Sequence, residues 1–247
     1  KRGRLEKAIH YITLKPETPL MEVALKLGFT SLENFSRAFK NYYGVSPDQF
    51  RKSGEVNKLS IIQKKTISKT EFQIEPSSFL STSINEASFK DLKIRVVKLP
   101  ARKLVYIPGT LGDPEKVASC FKKVKQWAEV RELTKPESKP FGLMLDYPLF
   151  TPLEKCRYFM CIEVKEEPEV SGEINYMEMP LRTYAAFIVK GGINEKIKSV
   201  IAFAHLWLPE SGYEINNVPA IQIPLENPVK VPPHQLTCEF YIAITPK

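Results

Sequence analysis

Seven polar residues crowd into eleven positions: Ser31, Glu33, Asn34, Ser36, Arg37, Lys40 and Asn41. On a helix they turn away from an apolar stripe of Leu32, Phe35, Phe39 and Tyr42, with Ala38 beside it. Arg37 and Lys40 have the charge and reach for guanine edges or phosphates, and Asn34 can pair with adenine. A second constellation sits near the end of the chain. Across Leu236–Ile242 the apolar residues hold the even positions, so Glu239 and Tyr241 share the other face of a strand. A carboxylate beside an aromatic suits an organic cation, and the competing reading is a solvent-facing pair. Tyr106, Tyr147, Trp127 and Trp207 are further aromatic candidates for a cleft, although both tryptophans lie on apolar helix faces that equally suit a core.

The elements that must carry the first group follow from spacing. Leu5, Ala8, Ile9 and Ile12 repeat as one amphipathic helix, ended by Pro16. Thr18-Pro19 offers an N-cap with proline at the first helical position, and Leu20, Val23, Ala24 and Leu27 continue the spacing to a stop at Gly28. Thr30-Ser31-Leu32-Glu33 has the form of a capping box, which predicts a new helix from Ser31 and gives Glu33 a backbone amide to bind in place of a base. Gly44 closes that helix and Pro47 marks the next turn. Two short helices joined by a glycine-containing turn form a helix-turn-helix, whose second helix enters the major groove of double-stranded DNA.

Charge agrees with that reading. Residues 1–54 hold ten Lys/Arg against five Asp/Glu, residues 55–90 five against four, and residues 91–247 twenty-one against nineteen. The excess therefore concentrates in the first segment, as expected of a small basic module with an anionic partner. The expected organisation is a helical module at 1–54, a linker at 55–90 rich in Ser, Thr and Lys, and a larger domain at 91–247. Leu59–Ile62 and Phe72–Ile74 hint at short strands within the linker. No apolar span of eighteen residues predicts a membrane helix, and no apolar block follows the basic N-terminus, so no membrane partner and a cytoplasmic location are expected. Four cysteines without a CxxC pair and three scattered histidines argue against a disulfide scaffold and against a metal, and no cofactor is expected.

The larger domain reads as strand, strand, helix, strand, strand, twice. The first set is 92–98, 103–107, a helix at 114–132, 141–146 and 157–164. The second is 174–179, 184–189, a helix at 194–208, 221–225 and 236–244. At an offset of 80 residues Gly112, Glu115, Lys116, Ser119 and Trp127 meet Gly192, Glu195, Lys196, Ser199 and Trp207. That repetition implies a duplicated unit with pseudo-twofold symmetry, and a cleft between halves is a common ligand site. The expected fold class is α+β: an all-α helix-turn-helix followed by a duplicated antiparallel sheet-and-helix domain.

The stretch Gly28-Phe29, Phe35-Ser36-Arg37-Ala38-Phe39-Lys40, Gly44-Val45-Ser46-Pro47 and Phe50-Arg51 resembles the second helix-turn-helix of AraC/XylS-type transcription regulators, over about residues 2–53. The resemblance implies that Ser31, Leu32, Glu33, Ser36 and Arg37 face DNA. It also implies a preceding motif in tandem, so the chain reads as a fragment or a degenerate member, with poor DNA binding by itself. Residues 91–247 resemble a GyrI-like effector-binding domain, most specifically through Trp207-Leu208-Pro209-Glu210-Ser211-Gly212-Tyr213. That implies a small lipophilic, often cationic effector, and with the helix-turn-helix a ligand-responsive regulator that can contact RNA polymerase. The family's strand glutamate falls on Gln222 here, and Phe159 stands where an aspartate is frequent. An amide can orient a polar ligand but cannot act as a general base. The domain is therefore expected to be no enzyme. A hydrolase using Glu239 and Tyr241, or a module that sequesters a drug or inhibits a partner protein, is the alternative.

Overall fold

The computed structural model describes residues 2–14, 17–53, 92–148, 151, 153–216, 218–227, 231 and 235–247. The expected linker at 55–90 lies outside them. The chain divides into two compact units, one helical and one built on a sheet.

The helical unit holds α1 (Arg2–Leu14), α2 (Leu20–Lys26), α3 (Leu32–Tyr43) and α4 (Pro47–Lys52). Leu5, Ile9, Ile12, Val23, Ala24, Phe35, Phe39 and Phe50 are buried. Phe35, Phe39 and Phe50 meet edge to face at 5.7 Å, the arrangement that ring quadrupoles prefer. Tyr43 completes the α3 stripe in place of the expected Tyr42, because buried positions recur every fourth residue from Phe35. The cap also differs from expectation. Ser31 is the N-cap, its Oγ accepting the Asn34 amide at 3.1 Å, so Asn34 holds the third helical position and Glu33 stays exposed at the second. Pro19 rather than Thr18 caps α2. Ser46 and Gln49 form a reciprocal capping box that starts α4, a helix the sequence reading did not foresee.

The turn between α2 and α3 is held from two sides. Gly28 has φ +73°, and the amides of Gly28 and Phe29 return to the carbonyls of Leu25 and Ala24, a Schellman closure. Arg4 of α1 then donates to the Gly28 carbonyl at 2.8 Å and lies over the Phe29 ring at 4.9 Å. Arg51 donates to the Thr18 carbonyl at 2.6 Å. Two of the basic residues counted toward an anionic partner therefore stitch the unit together. Arg4→Ala is expected to destabilise this unit by about 1–2 kcal/mol through loss of a charge-assisted bond and a cation–π contact, seen as reduced amide-exchange protection across α2 and α3.

In the second unit the strands are β1 (Arg95–Leu99), β2 (Arg102–Thr110), β3 (Phe141–Met144), β4 (Arg157–Val164), β5 (Asn175–Met179), β6 (Arg182–Lys190), β7 (Tyr213–Ile215), β8 (Ala220–Pro224) and β9 (Thr237–Pro246). Helix α5 (Pro114–Val130) follows β2, and α6 (Ile193–Ala202) follows β6 and widens into a π-helical turn, Phe203–Trp207. The expected helix at 194–208 thus changes form at residue 203. The sheet order is β1-β6-β9-β8-β3-β4-β2-β5, with β7 added on β9.

That order is a palindrome under exchange of the two halves. The register is equally symmetric at an offset of 80: Tyr106 pairs Cys161 as Ala186 pairs Tyr241, and Asn175 pairs Tyr106 as Arg95 pairs Ala186. Gly142 pairs Gln222, its own equivalent, so the pseudo-twofold axis passes between them. Each half lends its first strand to the other, β1 to β6 and β5 to β2. Two residues join β1 to β2, yet these strands lie six places apart in the order. At roughly 3.5 Å per residue the link cannot cross a flat sheet, so the sheet curls until its edges approach.

The outer face carries the helices. Val105, Ile107, Tyr158, Met160 and Ile162 pack there with Cys120, Phe121 and Val124 of α5. Phe187 stacks on both Phe240 and Phe203 at the other helix. The inner face buries Leu104, Phe141, Leu143, Cys161, Tyr184, Ile221 and Ala243. Next to the axis, on the outer face, Tyr158 fills the space that a side chain on Gly142 would need. Gly142→Ala is expected to cost about 1–3 kcal/mol by overpacking, measured by denaturant unfolding. In a Tyr158→Ala background the same substitution should cost much less, and additive losses would show that the two positions do not share the space.

Candidate functional site

On α3, Glu33, Asn34, Arg37, Lys40 and Asn41 are exposed, opposite the buried Phe35, Phe39 and Tyr43. Ser31, Leu32 and Ser36 are half-buried along its flanks. Asn34 is engaged at both ends: its amide nitrogen donates to Thr30 Oγ1 at 2.9 Å, and its oxygen accepts from Arg37 at 2.7 Å. Asn34 thereby holds the Arg37 guanidinium in place, and both of the amide atoms that a pairing with adenine would use are engaged within the helix. Glu33 is released from the backbone role that the capping-box reading gave it. The result is an exposed surface with one oriented guanidinium, one flexible ammonium and one carboxylate.

The seven candidate ligand residues of the larger unit do not converge on one point. Tyr106, Glu239 and Tyr241 lie on the inner face. Tyr106 stacks on Phe159 at 4.6 Å, so the aromatic at the aspartate position serves a packing role. The Tyr241 hydroxyl donates to Glu239 at 2.8 Å, and Arg95 of β1 forms an ion pair with the same carboxylate. Glu239, with 14% of its side chain exposed, is thus already neutralised. Gln222 points to the outer face. There its oxygen accepts from the buried Tyr158 hydroxyl at 3.1 Å and its nitrogen donates to Cys238 Sγ at 3.3 Å. Trp127 packs on the α5 core with Arg131 4.2 Å above its ring. Trp207 stacks between Phe203 and Tyr213. Tyr147 lies on the segment after β3, where burial pushes its phenol up. Arg157 forms a two-pronged bond to Asp146 at 2.7 and 2.8 Å and also gives it a backbone amide, which closes the β3–β4 connection.

Sequence reasoning missed Arg95, Tyr158 and Cys238. The 80-residue offset carried the signal for two of them, since it places Tyr158 opposite Cys238 and Gly142 opposite Gln222: a large and a small residue exchange places across the axis. Arg95 left no such trace, because β1 pairs with the other half. Among the described residues no group of His, Cys, Asp and Glu could hold a metal ion, and no helix is long and apolar enough to cross a membrane.

A duplicated strand–helix unit shares one curled antiparallel sheet, and a helix-turn-helix precedes it in the chain. Residues 92–245 match the model of the GyrI-like small molecule binding domain, and the chain belongs to that family. Residues 1–53 match a helix-turn-helix domain of the AraC type. Over 51 residues the chain is 45% identical to the HTH-type transcriptional regulator MtrA of Neisseria gonorrhoeae, covering 21% of this chain and 17% of that protein. It is 39% identical over 51 residues to the Msm operon regulatory protein of Streptococcus mutans, covering 21% of this chain and 18% of the relative. The chain thus spans less than a fifth of the length of these relatives. Among solved structures, EcmrR in its DNA complex shares the fold with a TM-score of 0.52 at 18% identity, over 87% of this chain and 84% of that one.

Burial and the Glu239 hydrogen bond push the Tyr241 phenol up to about 12 from an ordinary 10.0. A raised phenol pKa favours the neutral form in the fold. The stabilisation is therefore complete below pH 10 and lost as pH rises through about 12. Tyr241→Phe should remove one late phenol from a tyrosinate absorbance titration and flatten the fall in stability over that window.

Proposed function

We propose that this chain acts as a ligand-responsive transcription regulator, reading double-stranded DNA through α3 and binding a small lipophilic effector in the GyrI-like domain. The observation that carries the reading is the presence of both modules on one chain, with the exposed side of α3 bearing an oriented Arg37. Arg37, Lys40 and Glu33 are the DNA-facing residues, with Ser31, Leu32 and Ser36 at the flanks and Asn34 as a positioning residue. The effector is held through the inner-face residues Tyr106, Tyr241 and Glu239. A cationic effector would have to displace Arg95 from Glu239, and Gln222 offers no charge, so a cation has no ready anchor. The domain works by binding rather than catalysis: Gln222 cannot take a proton, and Glu239 is held by Arg95 and Tyr241. The effector changes transcription by favouring one of two states in contact with DNA or RNA polymerase, for which it must bind those states unequally. A cytoplasmic site of action follows from a DNA partner.

The test is binding-site selection from random duplexes followed by anisotropy titrations at several salt concentrations. Lys40→Ala should weaken binding to all sequences and lower the salt slope by about one, whereas Arg37→Ala should cost about 1–3 kcal/mol and relax preference at one base pair. Asn34→Ala should mimic part of the Arg37 effect without changing the salt slope. Enrichment of no sequence, with Arg37→Ala and wild type indistinguishable, would remove the DNA reading.

A further inference from the structure

At one end of the curled sheet, on the inner face, a cavity of about 250 Å³ is lined by Arg102, Lys135, Glu137, Ser138, Lys139, Phe141, Glu163 and Ile223. Its floor is apolar, from Phe141 and Ile223, both part of or packed on the inner core. Its charges are three cations and two carboxylates, an excess of one positive charge. The guanidinium of Arg102 is the notable group. Only 20% of its side chain is exposed, it makes no hydrogen bond with any described residue, and its nearest carboxylate, Glu163, stands 3.7 Å away. Lys135 reaches the same carboxylate at 3.8 Å. Both distances exceed a charge-assisted hydrogen bond, so one carboxylate is loosely shared between two cations. Lys139 has no partner among the described residues. The loop that carries these lysines is fixed, since the Lys135 amide donates to Ser138 Oγ at 3.1 Å and the Ser138 amide to the Lys135 carbonyl at 3.0 Å.

The duplication supplies an internal control. At the offset of 80, Arg102 corresponds to Arg182, but Lys135 corresponds to Ile215, Lys139 to Pro219 and Glu163 to Ala243. In the second half only the first position of that loop falls in a strand, Ile215 of β7, which pairs with Ile244 of β9. The same fold thus lines the equivalent end with Ile215, Pro219 and Ala243 around Arg182. The two lysines and Glu163 are not demanded by the fold, because its other half carries Ile215, Pro219 and Ala243 in their places while keeping the arginine as Arg182.

We propose that this cavity binds a small organic monoanion with a compact apolar body, such as an aryl or short alkyl carboxylate, its charge on Arg102, Lys135 and Lys139 and its body on Phe141 and Ile223. A carboxylate ligand gives the Arg102 fork the acceptor that the protein does not provide, and balances the excess charge. The inference rests on the reading of the domain as small-molecule binding and adds to the Tyr106–Glu239–Tyr241 site a second inner-face subsite with its own ligand class.

Benzoate, benzamide and benzamidinium share one ring and differ in charge, so titrating each into the full chain by calorimetry separates charge from shape. Benzoate should bind best, shift the amide resonances of Phe141 and Ile223, and bind about tenfold more weakly to Arg102→Gln. Equal binding of all three probes, or undiminished benzoate affinity in Arg102→Gln, overturns the proposal. Arg102 is largely buried, so the exposed pair Lys135→Gln with Lys139→Gln repeats the test where folding is not at stake, and full affinity there overturns it as well. An absence of benzoate binding also overturns it. If another lipophile then stabilises the chain and shifts resonances away from this cavity, the small-molecule reading of the domain stands without the anion site.

Discussion

Gly142 facing Gln222 is the contact on which the larger unit turns. Strand pairing at a pseudo-twofold axis leaves no freedom: one residue of slip would move every side chain of one half to the opposite face relative to the other. The space above that pair is correspondingly tight. Gly142 has no side chain, and the Tyr158 ring enters from its own half to fill the gap and donate to Gln222. Gln222 in turn donates to Cys238, the residue that occupies the Tyr158 position in the other half. The symmetric backbone is thus locked by an asymmetric set of side chains. Two copies of either residue set would overcrowd the axis or leave it empty.

Strand exchange makes this lock matter for the whole domain. Because β1 completes the sheet of the second half and β5 that of the first, neither half has a full set of neighbours by itself. The two halves therefore fold as one cooperative unit, with pairings that are distant in sequence. The curl that the short β1–β2 link demands creates an inner face, and that face is where the two halves have diverged. One end is lined by Ile215, Pro219 and Ala243 around Arg182. The other keeps charged side chains around a cavity. Divergence after duplication is cheap at the ends of a curled sheet, where side chains meet solvent, and costly at the axis, where they meet each other.

Local physics was legible in the sequence, and distant pairing was not. The periodicity of Phe35 and Phe39, the stop at Gly28 and the alternation through Glu239 and Tyr241 all depend on residues a few positions apart. They place α2, α3 and β9 nearly where the structure has them. The 80-residue offset went further and marked equivalent positions in every paired strand. What it could not reveal is which half a strand joins, and so Arg95 beside Glu239 was invisible. A carboxylate read as a cation anchor is instead half of an ion pair. Gln222 and Glu239 looked like neighbours in function, yet alternate strand faces separate them. The cap at Ser31 was displaced by one residue for a smaller reason: Thr30 and Ser31 both offer a hydroxyl, and only the helix geometry decides which one accepts the third amide.

Charge carries a different meaning in each unit of this protein. Counting basic residues suggests an anionic partner for the helical unit, but Arg4 and Arg51 are spent on carbonyls of its turns. What remains for a partner is fewer charges, better placed, with Arg37 held by Asn34 so that little rotamer entropy is lost on contact. In the larger unit the nearly neutral total hides a local excess. Arg102 keeps 20% of its side chain exposed and has no acceptor at hydrogen-bond distance among the described residues. At the symmetry-related end Arg182 stands without the two lysines and the carboxylate that surround Arg102, an asymmetry that packing alone does not explain. An anionic occupant supplies that acceptor only when present, and that is the physical requirement for a site whose state reports on its ligand.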